Sequence, residues 1–179
     1  MKTLLYLARH GQTQWNKVQR FQGQLDSALT PAGEQQSAAL AEQLMNKDIT
    51  LIVSSSLGRA IASAAICQKT LDVPTINLSG LIERDLGHWQ GKHVEDIKND
   101  KHYHEILQQF TELKPVDGES AMQCGERIYQ TLESLAQNQQ NKSLLVIFHG
   151  EALRCLLEKL GESSTGNAYQ LFDNGCLLT

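Results

Sequence analysis

Short apolar runs of strand length alternate along this chain with longer stretches of helical periodicity, and that alternation limits its fold more than any other feature. The runs are Thr3–Ala8, Thr50–Val53, Thr75–Leu78 and Ser143–Phe148, with a weaker one at Cys176–Leu178. Between them, "TPAGEQQSAALAEQLMN" offers Thr30 as an N-cap and Pro31 at the first helical position, then sets Leu40 and Leu44 a turn apart. "LGRAIASAAICQKTLD" is Ala-rich and helical. "SAMQCGERIYQTLESLA" opens with capping-box spacing, Ser120 to Gln123, and carries Cys124, Ile128, Leu132 and Leu135 along one face. "EALRCLLEKLG" ends at Gly161, a C-terminal stop. Such alternation predicts an α/β fold of three layers, a mostly parallel sheet flanked by helices. Residues 91–117 break the rhythm with charged, helix-like sequence and are expected to form a short helical cap over the C-terminal edge of the sheet. The 179 residues suit one domain spanning 1–179.

Composition narrows the partners. A net charge of -4 and a pI near 5.8 give no general field for nucleic acid or an anionic membrane, so any anion site has to be a local cluster of cations. "MKTLLYLARHG" lacks a small-residue cleavage site and reads as the first strand. No apolar stretch approaches the ~20 residues of a membrane span. Cys67, Cys124, Cys155 and Cys176 are scattered among apolar neighbours, without a C-x-x-C pair. They read as free thiols in a reducing cytoplasm, in a protein expected to be a monomer or homodimer.

The polar residues fall where the strands end. In "LARHGQTQWN", Arg9 and His10 cannot both point into the core, because a strand alternates its faces; both fit at its end, where the chain leaves the sheet. After the second run comes "SSSLGRA" with Ser54 and Arg59, beyond the third "LIERDLGHWQG" with Glu83 and Arg84, and after the fourth "HGEALR" with His149 and Gly150. The carboxyl ends of parallel strands share one edge, where ligands bind. Arg9, Arg59, His10, His149 and Glu83 are therefore predicted to meet.

"RHGQTQWN", "GQLDSALTPAGEQQ", "SSSLGRAIASA", "ERDLGHWQG", "DGES" and "FHGEALR" come in an order that resembles the histidine phosphatase superfamily, with its phosphoglycerate mutase-like fold, over nearly the whole chain. The resemblance is to the small-molecule phosphatase branch. It implies a phosphomonoesterase of small phosphorylated metabolites that needs no cofactor or metal. It makes His10 the nucleophile that becomes phosphorylated, Arg9, Arg59 and His149 the grip on the phosphoryl group, and Glu83 the proton donor. Asn16 and the backbone around Gln22 and Gly23 would complete the phosphate pocket, and Gly11 and Gly150 match the glycines that follow each histidine.

The residue types fit that chemistry. Guanidinium forks grip a phosphomonoester dianion bidentately. A neutral imidazole is a nucleophile near neutral pH. The second imidazole, if protonated, can donate to an equatorial oxygen as charge spreads, and a protonated carboxyl can supply the proton a departing alkoxide needs. Gly11 allows backbone to approach where a Cβ would obstruct.

Other residues have duller readings. Arg59, taken alone, could be a surface cation, and Arg84 and Asp85 are expected in a solvated charge cluster. Trp15 and Trp89 read as packing anchors, Trp89 close enough to shape the site. His88, His93, His102 and His104 invite a metal, but their spacing matches no standard ligand pattern and the segment reads as an exposed helix. Glu151 and Phe148 depart from the family's small residues. A carboxylate at 151 would repel phosphate unless turned away, and Phe148 would alter packing beneath His149. The chain also ends at "NGCLLT", where relatives continue through another strand, as a short or trimmed chain would. Alternative functions are phosphoglycerate mutase-type transfer, with Lys92, Lys98 and Lys101 available for a second anion, a phosphoprotein (phosphohistidine) phosphatase, or a non-catalytic phosphate-binding regulator.

Overall fold

The computed structural model describes residues 2–162, 166 and 168–178. In chain order its elements are β1 (Leu4–Arg9), α1 (Gln14–Lys17), α2 (Pro31–Leu44), β2 (Ile49–Ser55), α3 (Gly58–Leu71), β3 (Thr75–Leu78), α4 (Val94–Ile97), α5 (Tyr103–Gln108), α6 (Ala121–Asn138), β4 (Ser143–Phe148), α7 (Gly150–Lys159), α8 (Ala168–Leu171) and β5 (Leu177–Leu178). The sheet has five strands in the order β3-β2-β4-β1-β5. β1, β2, β3 and β4 run parallel, while β5 pairs antiparallel with β1. All four parallel strands therefore deliver their C-terminal residues to one edge. The expected α/β sheet is present, with helices on both faces.

Period-two alternation sorts the core. On β4, Leu144, Val146 and Phe148 pack with Cys124, Ile128, Leu132, Leu153 and Leu156 of α6 and α7. Leu145 and Ile147 face the other way, against Leu40, Leu44, Ala60, Ala64 and Cys67 of α2 and α3. β2 needs a correction to keep this pattern, since Ile49 and Ile52, three positions apart, share the α2/α3 side. The register supplies it: Ile49 pairs with Ser143 but Leu51 with Leu144, so Thr50 is an extra residue that resets the alternation. Phe148 is simply one more wholly buried member of the α6/α7 side.

The helix starts follow their caps. Thr30 Oγ1 accepts from Gly33 N at 3.1 Å with Pro31 at the first position. At α6 Ser120 and Gln123 satisfy each other's backbone N–H groups reciprocally. α4 and α5 lie within residues 91–117, and their apolar faces do not join the sheet's core. Ile97, Ile106 and Leu107 form a third cluster with Phe21, Leu86 and Trp89. Trp89 is buried and donates from Nε1 to Asp100 Oδ2 at 2.8 Å, so it anchors this cap, whereas Trp15 is half-buried with Arg20 stacked on its ring. The segment expected as an exposed helix thus buries Ile106 and Leu107 beneath its histidines.

One contact fixes where the loop after β1 meets α2. A Cβ on Gly11 would stand 2.1 Å from Gly33 O, and a Cβ on Gly33 would stand 2.1 Å from Gln12 O. Two glycines let two backbones touch, and neither obstructing atom lies on a movable side chain. Gly33→Ala is expected to cost about 1–3 kcal/mol of stability and to lower activity by displacing residues 10–12. Urea unfolding with a parallel phosphatase assay checks this; an unchanged midpoint would contradict it.

Candidate active site

Arg9 and His10 end β1 on opposite faces. Arg9 lies on the α7 side, donating from Nη1 to Phe172 O at 2.5 Å, and a Cβ on Gly150 would meet its Nε at 3.2 Å. His10 lies on the α3 side, where Arg59 Nε donates to its Nε2 at 3.2 Å. Its other ring nitrogen, Nδ1, sits 2.7 Å from Gly11 O. A carbonyl can only accept, so Nδ1 carries the proton and Nε2 holds the lone pair. Burial, then the Arg59 and Arg9 charges, hold the His10 imidazole well below its usual pKa, which keeps it neutral.

Arg59 starts α3 and is wholly buried, not a surface cation. Nη2 donates to Gly23 O at 2.7 Å, and Nη1 to Leu25 O at 2.7 Å and to Asp26 Oδ1 at 3.1 Å. The loop before α2 therefore aims the guanidinium at His10. Gly23 itself has φ +53, a conformation that favours glycine, and a Cβ there would have to displace the Gln90 side chain, whose Oε1 would lie 2.1 Å away.

His149 ends β4, its ring centroid 5.2 Å from that of His10. Its Nε2 lies 2.7 Å from Ser55 Oγ, and that oxygen accepts from Leu57 N at 3.2 Å. His149 Nδ1 is buried with no hydrogen-bond partner among the described residues. Burial, followed by Arg59, His10 and Arg9, lowers its pKa well below the usual value. The ring is thus held towards its neutral form, and it can still donate from Nδ1 if Ser55 gives its proton to Nε2.

Glu83 points into the N-terminus of α7. Its carboxyl accepts from Arg84 N and Ala152 N, each at 2.8 Å, and from Glu151 N at 3.2 Å. Burial pushes its pKa up, Arg59 pulls against that, and the Glu151 charge pushes it further up. Asn16 takes its hydrogen bonds on Oδ1, from Thr13 and from Asn174, and Gln22 is held by Ser27. Arg9, His10, Asn16, Gln22, Gly23, Arg59, Glu83 and Gly150 line one enclosed cavity of about 20 Å³. Larger concavities of about 580 and 710 Å³ are open grooves along α6 and contain none of them.

Of two charged residues, Arg84 stands otherwise than expected and Glu151 meets the condition set for it. Arg84 is not solvated but wholly buried, donating to Ile106 O at 2.7 Å, Glu119 O at 3.0 Å and Glu151 Oε2 at 3.3 Å. Glu151 is turned away from the phosphoryl side: Arg154 grips it with Nε and Nη2, and Ala168 N donates to its Oε1. Asp85 caps the turn at Gly87 with Oδ1. Sequence reading missed Ser55, Asp26 and Arg154 as supporting residues. All three lie inside the quoted motifs, and helical spacing sets Arg154 three positions from Glu151, but nothing in the sequence marks the burial of that pair. His88 pairs with Asp100, His93 with Arg20 and His102 with Glu105. Among the described residues no three His, Cys, Asp or Glu come together as a metal site, and no helix is long and apolar enough to cross a membrane.

Known proteins resemble this chain in sequence and in fold. The family model described as "Histidine phosphatase superfamily (branch 1)" matches residues 5–179. A probable phosphoglycerate mutase, GpmB, of Salmonella arizonae is 35% identical over 164 residues, covering 87% of this chain and 74% of its own. YhfR of Bacillus stearothermophilus superposes with a TM-score of 0.89 at 27% identity, over 98% of this chain and 89% of its own. A phosphoserine phosphatase of Entamoeba histolytica, solved with 3-phosphoglyceric acid, gives 0.82 at 28%, over 98% and 89%. With that match running from β1 to the last strand, the chain belongs to the histidine phosphatase superfamily, branch 1.

Proposed function

We propose that this protein hydrolyses phosphomonoesters of small metabolites in the cytoplasm through a phosphohistidine on His10, without a metal. The observation that carries the reading is the His10 tautomer, whose unprotonated Nε2 is set between Arg59 and the cavity. The Nε2 lone pair attacks phosphorus as the ester P–O bond breaks, and the Glu83 proton passes to the departing oxygen. The Glu83 carboxylate then takes a proton from water, whose oxygen attacks phosphorus and breaks the P–N bond. Phosphate leaves, and Glu83 is again protonated. Arg9, Arg59 and His149 Nδ1–H would hold the equatorial oxygens, supplying charge a metal would otherwise bring. Asn16, Gln22, Gly23 and Gly150 would complete the pocket. Four free cysteines fit a reducing compartment.

The mutase alternative draws on the name of the Salmonella relative. Against it, a mutase has to hold a second anionic group, and none of Lys92, Lys98 and Lys101 lines the cavity. Arg84 is bound within the interior, and Lys98 pairs with Glu95 on the surface at 2.5 Å. A phosphate-binding regulator rested on Glu151, whose carboxylate is neutralised by Arg84 and Arg154.

Incubation with 3-phosphoglycerate and a trace of 2,3-bisphosphoglycerate, in chelator, is expected to release inorganic phosphate ahead of any 2-phosphoglycerate. Isomerisation in excess would overturn the hydrolase reading, and recovery only on adding a metal would overturn metal independence. Glu83→Gln is expected to lower kcat/KM by ~10²–10⁴-fold on glycerol 3-phosphate and far less on nitrophenyl phosphate, whose leaving group needs no proton. Because the Glu83 pKa is raised, activity on alkyl esters should fall as pH climbs through it, and that alkaline limb should vanish for the aryl ester. Equal losses on both esters would make Glu83 structural.

A further inference from the structure

The leaving group's side of the cavity carries its own charge pattern. In-line attack by His10 Nε2 puts the departing oxygen opposite that nitrogen, beside Glu83. Next to Glu83 in the cavity lining stand Glu151, whose N donates to Glu83 Oε2 at 3.2 Å, and Ala168, whose N donates to Glu151 Oε1 at 3.3 Å. Two of these three are carboxyl residues, and the cations of the lining, Arg9 and Arg59, are the ones assigned to the phosphoryl group. Arg84 and Arg154 are both wholly buried and share Glu151 Oε2, at 3.3 and 3.2 Å, while Arg154 Nη1 has no partner among the described residues. The remaining Arg84 donors go to Ile106, Glu119 and Leu113 carbonyls, which ties the cap and the start of α6 to the same group. No lysine lines the cavity among the described residues; Lys92 and Lys101 are exposed and Lys98 is paired with Glu95. Residues 163–165 and 167 are Ser, Ser, Thr and Asn, and add no cation.

We infer that Glu151 is a specificity-determining residue: by occupying the anion position in front of Arg84 and Arg154, it restricts this site to phosphomonoesters of neutral or cationic alcohols and rejects those whose alcohol bears a carboxylate or a second phosphate. The inference rests on the phosphomonoesterase reading and adds the substrate class. An alcohol with its own carboxylate would have to be desolvated beside Glu83 and Glu151, where the Arg84 and Arg154 guanidinium groups already share the Glu151 carboxylate. A hydroxyl or ammonium group there meets acceptors instead. The neighbouring Glu151 charge also helps keep the Glu83 proton in place, so its removal should shift the alkaline limb to lower pH.

Glycerol 3-phosphate and 3-phosphoglycerate test this as a matched pair, differing by a CH2OH in place of a carboxylate, with phosphoethanolamine as the cationic probe and nitrophenyl phosphate as the reference. The wild-type protein is expected to favour glycerol 3-phosphate and phosphoethanolamine over 3-phosphoglycerate by tenfold or more in kcat/KM. Glu151→Gln and Glu151→Gly should narrow that ratio at least fivefold and move the alkaline limb down. Equal wild-type rates for the pair would overturn the inference, even if neither variant folds. An unchanged ratio in a folded Glu151→Gln variant would overturn it too. Absence of turnover on nitrophenyl phosphate would instead remove the phosphomonoesterase reading beneath it.

Discussion

The hydrogen bond between His10 Nδ1 and the Gly11 carbonyl, 2.7 Å long, decides which nitrogen of the ring can react. It binds a side chain to the backbone of the next residue, so the ring's orientation follows from the path of the chain as it leaves β1. That path depends in turn on the backbone contact between Gly11 and Gly33, which admits no Cβ on either side. Ser63 Oγ accepts from Gly11 N at 3.0 Å and fixes the same loop to α3. The nucleophile's tautomer is therefore a property of how β1, α2 and α3 pack, not of the ring alone.

Around that ring the structure buries charge at a density that only mutual pairing supports. Arg59, Arg84 and Arg154 are among the largest wholly buried side chains. Each is met by carbonyls or a carboxylate: Asp26 for Arg59, Glu151 for the other two. An unpaired charge at such depth would cost several kcal/mol, so removing Glu151 or Asp26 should affect folding as well as chemistry. The arrangement separates the protonation states of the site. Burial and arginines drive the two histidines towards neutrality, while burial and Glu151 favour a protonated Glu83. A neutral nucleophile and a protonated acid can then coexist at one pH.

Much of this was legible in the sequence because strands advertise their ends. Arg9, His10 and His149 stand at the last residue of a parallel strand or the one after it, Arg59 lies in the first turn of α3 just beyond β2, and topology alone brings them together. The helix caps at Thr30 and Ser120 were readable for the same local reason. Arg84 was not. A charge beside Glu83 and Asp85 reads as solvated, and its partner Glu151 is 67 positions away on another element. The turn of Glu151 onto Arg154, three positions along α7, was open to helical spacing, but the burial of both was not. The protonation state of His149 also lay beyond sequence, since it depends on complete burial among four cationic or titratable neighbours.

Identification of the phosphorylated atom tests the central claim most directly. Rapid quenching during turnover, followed by peptide mapping and ³¹P NMR of the acid-labile, alkali-stable adduct, should find phosphate on Nε2 of His10, and His10→Ala should abolish both adduct and turnover by at least ~10³-fold. Phosphate on Nδ1, a phosphoryl group on any other residue, or turnover persisting in His10→Ala would contradict the account.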